Sequence, residues 1–228
     1  MTTVIETKAR HWRWPGWPSG LTENSAGVYR WSGGGITRSI VDACLAALGR
    51  AEGPALLWDL RGQLDLGRDE MSGLVAAVYA AAEHRRCVLG RGEWVEALRA
   101  NRFSHNGIRV DPPTEPVTVF RGCWPELIPV DAFGNRVEFD ALGQPVDPGV
   151  EIVEVIDTRR GLSWSRCASH ARKFAHGGVR GERQVGAVYS ATVRPEFLLA
   201  RIGSEYLVDP IGLRSITVVE VALDVPTR

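Results

Sequence analysis

Val117-Thr118-Val119-Phe120-Arg121-Gly122 reads as a β-strand that ends in an arginine followed by glycine. Downstream, Gly161-Leu162-Ser163-Trp164 is a second short strand. It runs into a helix over about 165–176, with Ala168, Ala171, Arg172 and Ala175 on one face and Phe174 11 positions after Ser163. A third stretch, Gly203-Ser204-Glu205-Tyr206-Leu207-Val208-Asp209-Pro210, opens a strand with a glutamate and stops it at a proline. Further strands are predicted over 150–156, 185–193, 197–202 and 216–223. Residues 124–149 read as a long hairpin-like loop, because Phe133-Gly134-Asn135 and Leu142-Gly143-Gln144-Pro145 carry turn chemistry.

Upstream the texture differs. Residues 1–26 form a tail in which His11-Trp12-Arg13-Trp14-Pro15-Gly16-Trp17-Pro18 has neither a helical nor a strand period. Between 27 and about 103, strand-like and helix-like pieces alternate. Val28-Tyr29-Arg30-Trp31 reads as a strand, and a helix follows with Ile40, Ala43, Cys44, Ala47 and Leu48 at helical spacing. Ala55-Leu56-Leu57-Trp58-Asp59-Leu60 reads as a buried strand, 68–87 as an alanine-rich helix, Cys87-Val88-Leu89 as a strand and 93–102 as a helix. Such alternation predicts a small open sheet faced by helices. Asp111-Pro112-Pro113-Thr114-Glu115-Pro116 reads as a linker, which divides the chain into a tail (1–26), an α/β module (27–110), a linker (111–116) and a strand-rich domain (117–228).

The module resembles the sulfate-transporter/anti-sigma-antagonist (STAS) fold through the run Ala55–Leu60, Ser72-Gly73-Leu74 opening the long helix, and Val88-Leu89-Gly90 before Trp94-Val95-Glu96-Ala97-Leu98. The resemblance implies a role in contacts or targeting. Glu70-Met71-Ser72-Gly73 replaces the family's Asp-Ser-Ser-Gly, which argues against a phosphorylation switch at Ser72. A helical lobe belonging to the next domain is the rival reading.

Composition bounds the rest. A 228-residue chain with 44% hydrophobic, 24% charged and 8% aromatic residues has the makings of a packed core. The 27 Lys+Arg balance 27 Asp+Glu, which excludes a broad nucleic-acid-coating field. No apolar run approaches a membrane span and no signal-peptide core opens the chain, so a cytoplasmic protein is expected. Cys44, Cys87, Cys123 and Cys167 are scattered singly, without metal-knuckle or dithiol spacing. Net charge runs +3 over 1–110, −7 over 111–156, +5 over 157–183 and −1 over 184–228. The basic stretch, with Arg159, Arg160, Arg166, Arg172, Lys173, Arg180 and Arg183, suits phosphates or is simply a solvated face.

There is no P-loop, no His-Glu-x-x-His and no dinucleotide glycine fingerprint. A serine hydrolase is excluded because Ser165 replaces the last glycine of the elbow in Gly161-Leu162-Ser163-Trp164-Ser165. The ordered set Arg121, Ser163, Glu205 resembles the ADP-ribosyltransferases of the Arg-Ser-Glu class over about 117–223. The whole chain is then an α+β protein, a STAS-like module followed by a split β-sheet transferase domain.

That resemblance implies NAD as substrate and a mono-ADP-ribosyltransferase of the toxin or effector type. NAD breaks between ribose and nicotinamide through an oxocarbenium-like state, as in glycosidases. Nicotinamide leaves neutral, so one carboxylate suffices, and Glu205 takes that part. Arg121 would grip a phosphate or ribose oxygen, Ser163 orient Glu205, Phe174 stack on nicotinamide and the Gly122 backbone bond its carboxamide, with Ser165 in the same motif. Each also has a plain use: Arg121 as partner of Glu205 or Asp209, Ser165 as a helix cap, Phe174 as core, Glu205 as an edge charge. Glu182 and Glu196 are weaker carboxylates for the role. Protein-modifying members of this class usually carry Glu or Gln two residues before the glutamate, where this chain has Gly203, so arginine-specific modification is not expected and the acceptor is another protein side chain, a nucleic-acid or small-molecule group, or water. An NAD glycohydrolase and a non-catalytic binding protein on the same scaffold stay open, as does the oligomeric state.

Overall fold

The computed structural model describes residues 18–25, 27–49, 51–82, 89–131, 136–140, 144–177 and 186–221. The chain is mixed α/β and divides into two compact units, Met1–Gly90 and Arg91–Arg228.

In the first unit β1 (Leu21–Glu23) pairs antiparallel with β2 (Tyr29–Trp31). Helix α1 (Arg38–Leu48) buries Val41 and Cys44 and stops at Gly49, whose φ of +83° favours glycine. Helix α2 (Gly53–Leu60) replaces the strand expected at 55–60. A short, continuously apolar run does not distinguish a buried strand from a buried helix. Here Pro54 in the first turn presets helical φ, and burial of Leu56, Leu57 and Leu60 supplies the packing. The Asp59 carboxylate accepts the Tyr29 N–H at 2.8 Å, tying α2 to β2.

Helix α3 (Arg68–Ala81) starts four residues before Ser72, which is 2% exposed inside the helix rather than at its opening. The strand expected at 87–89 falls mostly outside the described residues. Among those described, the only sheet of this unit is β1–β2, so the expected open sheet is not found there.

The second unit begins with α4 (Arg91–Ala100) and the hairpin β3 (Ser104–His105) to β4 (Ile108–Arg109). Asn106 and Gly107 both have positive φ, +51° and +82°, as a two-residue hairpin turn demands. This corrects the expected division at 111–116. β3 runs parallel to β10 (Leu198–Ile202), the Asn106 N–H donates to the Arg201 carbonyl at 2.8 Å, and Arg99 pairs with the buried Asp209. The prolines of 111–116 therefore connect strands within one sheet.

That sheet adds β5 (Val117–Cys123), β8 (Ser163–Ser165), β9 (Ala187–Val193), β11 (Glu205–Val208) and β12 (Ile216–Val221), in the order β12-β9-β5-β8-β11-β10-β3-β4. β6 (Leu127–Val130) and β7 (Glu154–Asp157) pair separately, so the expected loop of 124–149 contains a strand. Val119, Trp164, Tyr189, Val193, Tyr206, Val208 and Leu213 pack on one sheet face. On the other, Phe120 and Val188 meet Ala171 and Ala175 of α5 (Ala168–Gly177), whose small residues admit a close approach. Among the described residues no helix is long and apolar enough to cross a membrane, and no group of His, Cys, Asp and Glu could hold a metal.

Candidate functional site

The site lies where the large sheet opens. β5 pairs with β9 through all seven of its residues but meets β8 only at Phe120↔Ser165. Beyond that bridge the β8 side of Arg121, Gly122 and Cys123 has no strand against it among the described residues.

β8 and β11 stay in register, with Glu205↔Ser165, Tyr206↔Trp164 and Leu207↔Ser163. Opposed residues share a face and alternate residues return to it. Ser163, Ser165 and Glu205 therefore share the α5 face with Phe120, and Trp164 and Tyr206 enter the opposite core. One diagonal step across the ladder brings Ser163 Oγ to Glu205 Oε2 at 2.5 Å, with both residues half-buried. A hydroxyl donating to a carboxylate at this distance is a charge-assisted bond, roughly twice as strong as a neutral one. It fixes one carboxylate oxygen and leaves Oε1 for a ligand.

Arg121 lies opposite Tyr189 and so projects from the other face. Its Nε donates to the Thr158 carbonyl at 2.9 Å and its Nη1 to the Ser163 carbonyl at 2.6 Å. The guanidinium thus fills the gap in the sheet, satisfying carbonyls that a longer β5–β8 ladder would have paired. It contacts Ser163 through the main chain and makes no hydrogen bond or ion pair with Glu205 or Asp209. Asp209 pairs instead with Arg99 and caps a 3₁₀ turn through the Ile211 N–H.

Sequence reading missed Gly161. A Cβ there would sit 2.3 Å from Arg121 Nη2, so the guanidinium lies against bare backbone. Nearby, Cys123 is half-buried, and burial pushes its thiol up against the opposing pull of Arg121.

Gly122 faces α5 so closely that a Cβ would lie 1.8 Å from the Ala171 carbonyl oxygen. Its place is set by packing, and it holds α5 against β5. Ser165 is 5% exposed, and its Oγ accepts the Cys167 N–H at 3.0 Å, closing the turn just before α5 rather than capping the helix itself, whose first carbonyl acceptor is that of Cys167.

Phe174 is 42% exposed on α5, outside the core. One helical turn earlier His170 sets its ring 5.3 Å from that of Phe174, and its Nδ1 shares a 3.1 Å hydrogen bond with Ser204 Oγ. His170 was not singled out in the sequence, although its four-residue spacing from Phe174 would have marked it. Gly203 occupies the first position of the two-residue β10–β11 turn with φ +57°, and its N–H donates to Asn106 Oδ1 at 2.7 Å.

Of the remaining carboxylates, Glu196 is exposed and paired with Arg194, and Glu182 lies outside the described residues. In the basic stretch Arg159 is bound to Asp157 and Arg172 to Glu220, whereas Arg160, Arg166 and Lys173 are exposed. The carboxyl of Asp157 would be raised by burial, but hydrogen bonds from the Arg159 side chain and backbone hold it below the usual range. Comparison of the chain with protein-family models, with curated proteins and with solved structures found no match.

Proposed function

We propose that this chain is an NAD-dependent mono-ADP-ribosyltransferase of the Arg-Ser-Glu class, its second unit a split β-sheet transferase domain acting inside the cell on a macromolecule. The observation that carries the reading is the 2.5 Å bond from Ser163 Oγ to Glu205 Oε2, made between adjacent strands beside an arginine-bearing third. In the reaction the ribose C1–nicotinamide bond breaks with its electron pair, nicotinamide departs neutral, and the acceptor's lone pair forms the new bond to C1 as its proton is released. Glu205 stabilises the transient sugar cation. Phe174 offers the exposed ring for the nicotinamide. Arg166 and Lys173 supply positive charge for the phosphates. Arg121 acts as a positioning residue, since a direct grip on NAD would require it to release the carbonyls of Thr158 and Ser163.

Incubation with NAD should release nicotinamide, and Glu205→Gln should lower the rate by at least ~100-fold while leaving the fold intact, as read by circular dichroism. A wild-type protein that releases none, with or without cell lysate as acceptor source, refutes the reading in favour of a binding scaffold. Gly203 favours a second outcome. With no side chain two residues before Glu205, nothing at that position engages an acceptor, and water becomes a competitor. Release of nicotinamide without transfer of label from radioactive NAD to any lysate component identifies a glycohydrolase.

A further inference from the structure

The connection between the arginine strand and the serine strand is long and distinctive. Residues 124–157 leave β5 after Cys123, build the β6–β7 sheet and return to the 3₁₀ turn Thr158–Arg160 just before β8. Thr158 latches the base of this projection to the site. Its carbonyl receives Arg121 Nε, its hydroxyl donates to the Trp124 carbonyl at 2.6 Å, and that hydroxyl accepts the Glu126 N–H at 2.9 Å.

The two faces of β6–β7 differ. Pairings Leu127↔Asp157 and Pro129↔Val155 set Leu127, Pro129 and Val155 on one face with Asp157, which is bound to Arg159, and Ile128, Val130 and Ile156 on the other. The second face is the more buried, with Val130 only 4% exposed and Ile128 and Ile156 half-buried, whereas on the first Leu127 is 62% and Val155 53% exposed. Val153, whose N–H donates to the Val130 carbonyl, continues the open face. A sheet face that leaves several large apolar side chains to solvent beside the ion pair Asp157–Arg159 marks an interaction surface.

Charge says what would cover it. Residues 124–157 hold eight carboxylates against the single Arg136, a net of −7, and Arg136 is itself paired with Glu126. Glu138, Asp140, Asp147 and Glu151 are exposed. In the same segment a cavity of about 210 Å³ is lined by Asp131, Glu138 and Asp147 together with Val146 and Val150, and the basic residue of its lining, Arg136, is bound to Glu126. Carboxylates over aliphatic walls suit a long basic side chain, whose methylenes lie along the valines while its head meets the acids.

We propose that the β6–β7 face docks a protein partner presenting apolar residues flanked by lysine or arginine. A nucleic acid would be repelled by this segment, and a second copy would set like charge against like. The surface stands independently of NAD chemistry. Identifying its occupant as the acceptor, seated on the connection between two site strands, rests on the transferase reading.

The test uses the full chain, immobilised against a random-peptide display library. Enriched peptides should combine apolar with basic residues and compete for one site. A synthetic copy of the best peptide should bind Leu127→Ser/Val155→Ser at least ~tenfold more weakly. Glu138→Gln/Glu151→Gln should also weaken it and flatten its salt dependence. Both double variants should melt at the wild-type temperature. The proposal is overturned if the enriched peptides lack basic residues, if neither double variant changes binding, if a short DNA duplex binds more tightly than the peptides, or if the Leu127/Val155 pair proves to mediate dimerisation instead. Glu205→Gln should bind the peptide as wild type does. A wild-type protein without nicotinamide release but with this peptide binding refutes the transferase reading and upholds the docking surface.

Discussion

Replacing Gly122 by alanine tests whether α5 is held against the backbone of β5. The added methyl would lie 1.8 Å from the Ala171 carbonyl oxygen and 2.8 Å from the Ala175 nitrogen, far inside van der Waals contact. These neighbours are helix backbone, which no rotamer change can move aside. The helix must shift bodily by more than an ångström, against a contact in which Ala171 and Ala175 are each 1% exposed. Overpacking of this kind costs about 1–3 kcal/mol, and a backbone obstacle places Gly122→Ala toward the upper end. For a unit of this size that is a fall in Tm of roughly 5–10 °C.

Gly92→Ala is the matched control. It lies on α4 in the same unit, a Cβ there meets nothing within 4 Å, and alanine favours a helix, so its Tm should hold or rise slightly. Thermal unfolding followed by circular dichroism separates the two variants. If Gly122→Ala melts with Gly92→Ala, the close packing of α5 on β5 is wrong, and with it the placement of His170 on Ser204, the neighbour of Glu205.

Three other outcomes follow from the site. Arg121→Lys keeps the charge but cannot reach both carbonyls with a planar fork; a loss of about 1–2 kcal/mol in denaturant titration is expected, and wild-type stability would refute the bracing role. Cys167 is exposed, and its thiol is lowered by hydrogen bonds from the Ser169 hydroxyl and from the backbone, so near pH 7.5 it should alkylate faster than the buried Cys44, as read by peptide mass spectrometry. The depressed Asp157 carboxyl contributes stability that is present above the ordinary carboxylate range and lost as pH falls through its folded value. Asp157→Asn should therefore flatten part of the acid destabilisation below about pH 4, and an unchanged profile would count against the Arg159 contact.

Much of the strand-rich half was legible because its information is local. Apolar periods, prolines and glycine turns located the strands corresponding to β5, β8, β9, β10, β11 and β12 and the helix α5, each within a few residues. The meeting of Ser163 and Glu205 was expected from resemblance, and the register of two adjacent strands realises it. The chain's own chemistry also determined the acid bias of 124–157 and the lack of side-chain reach at Gly203.

Other features were decided in three dimensions. Whether residues 53–60 become helix or strand depends on what buries them, since their apolar run suits either. The proline stretch 111–116 ends no domain, because β3 finds its partner in β10, some 95 residues away. Arg121 has two carbonyls as partners and Gly161 beneath it only because β5 and β8 part after a single bridge. Sequence pattern records which face a residue prefers; strand register, set by the packing of distant segments, selects the atom it meets.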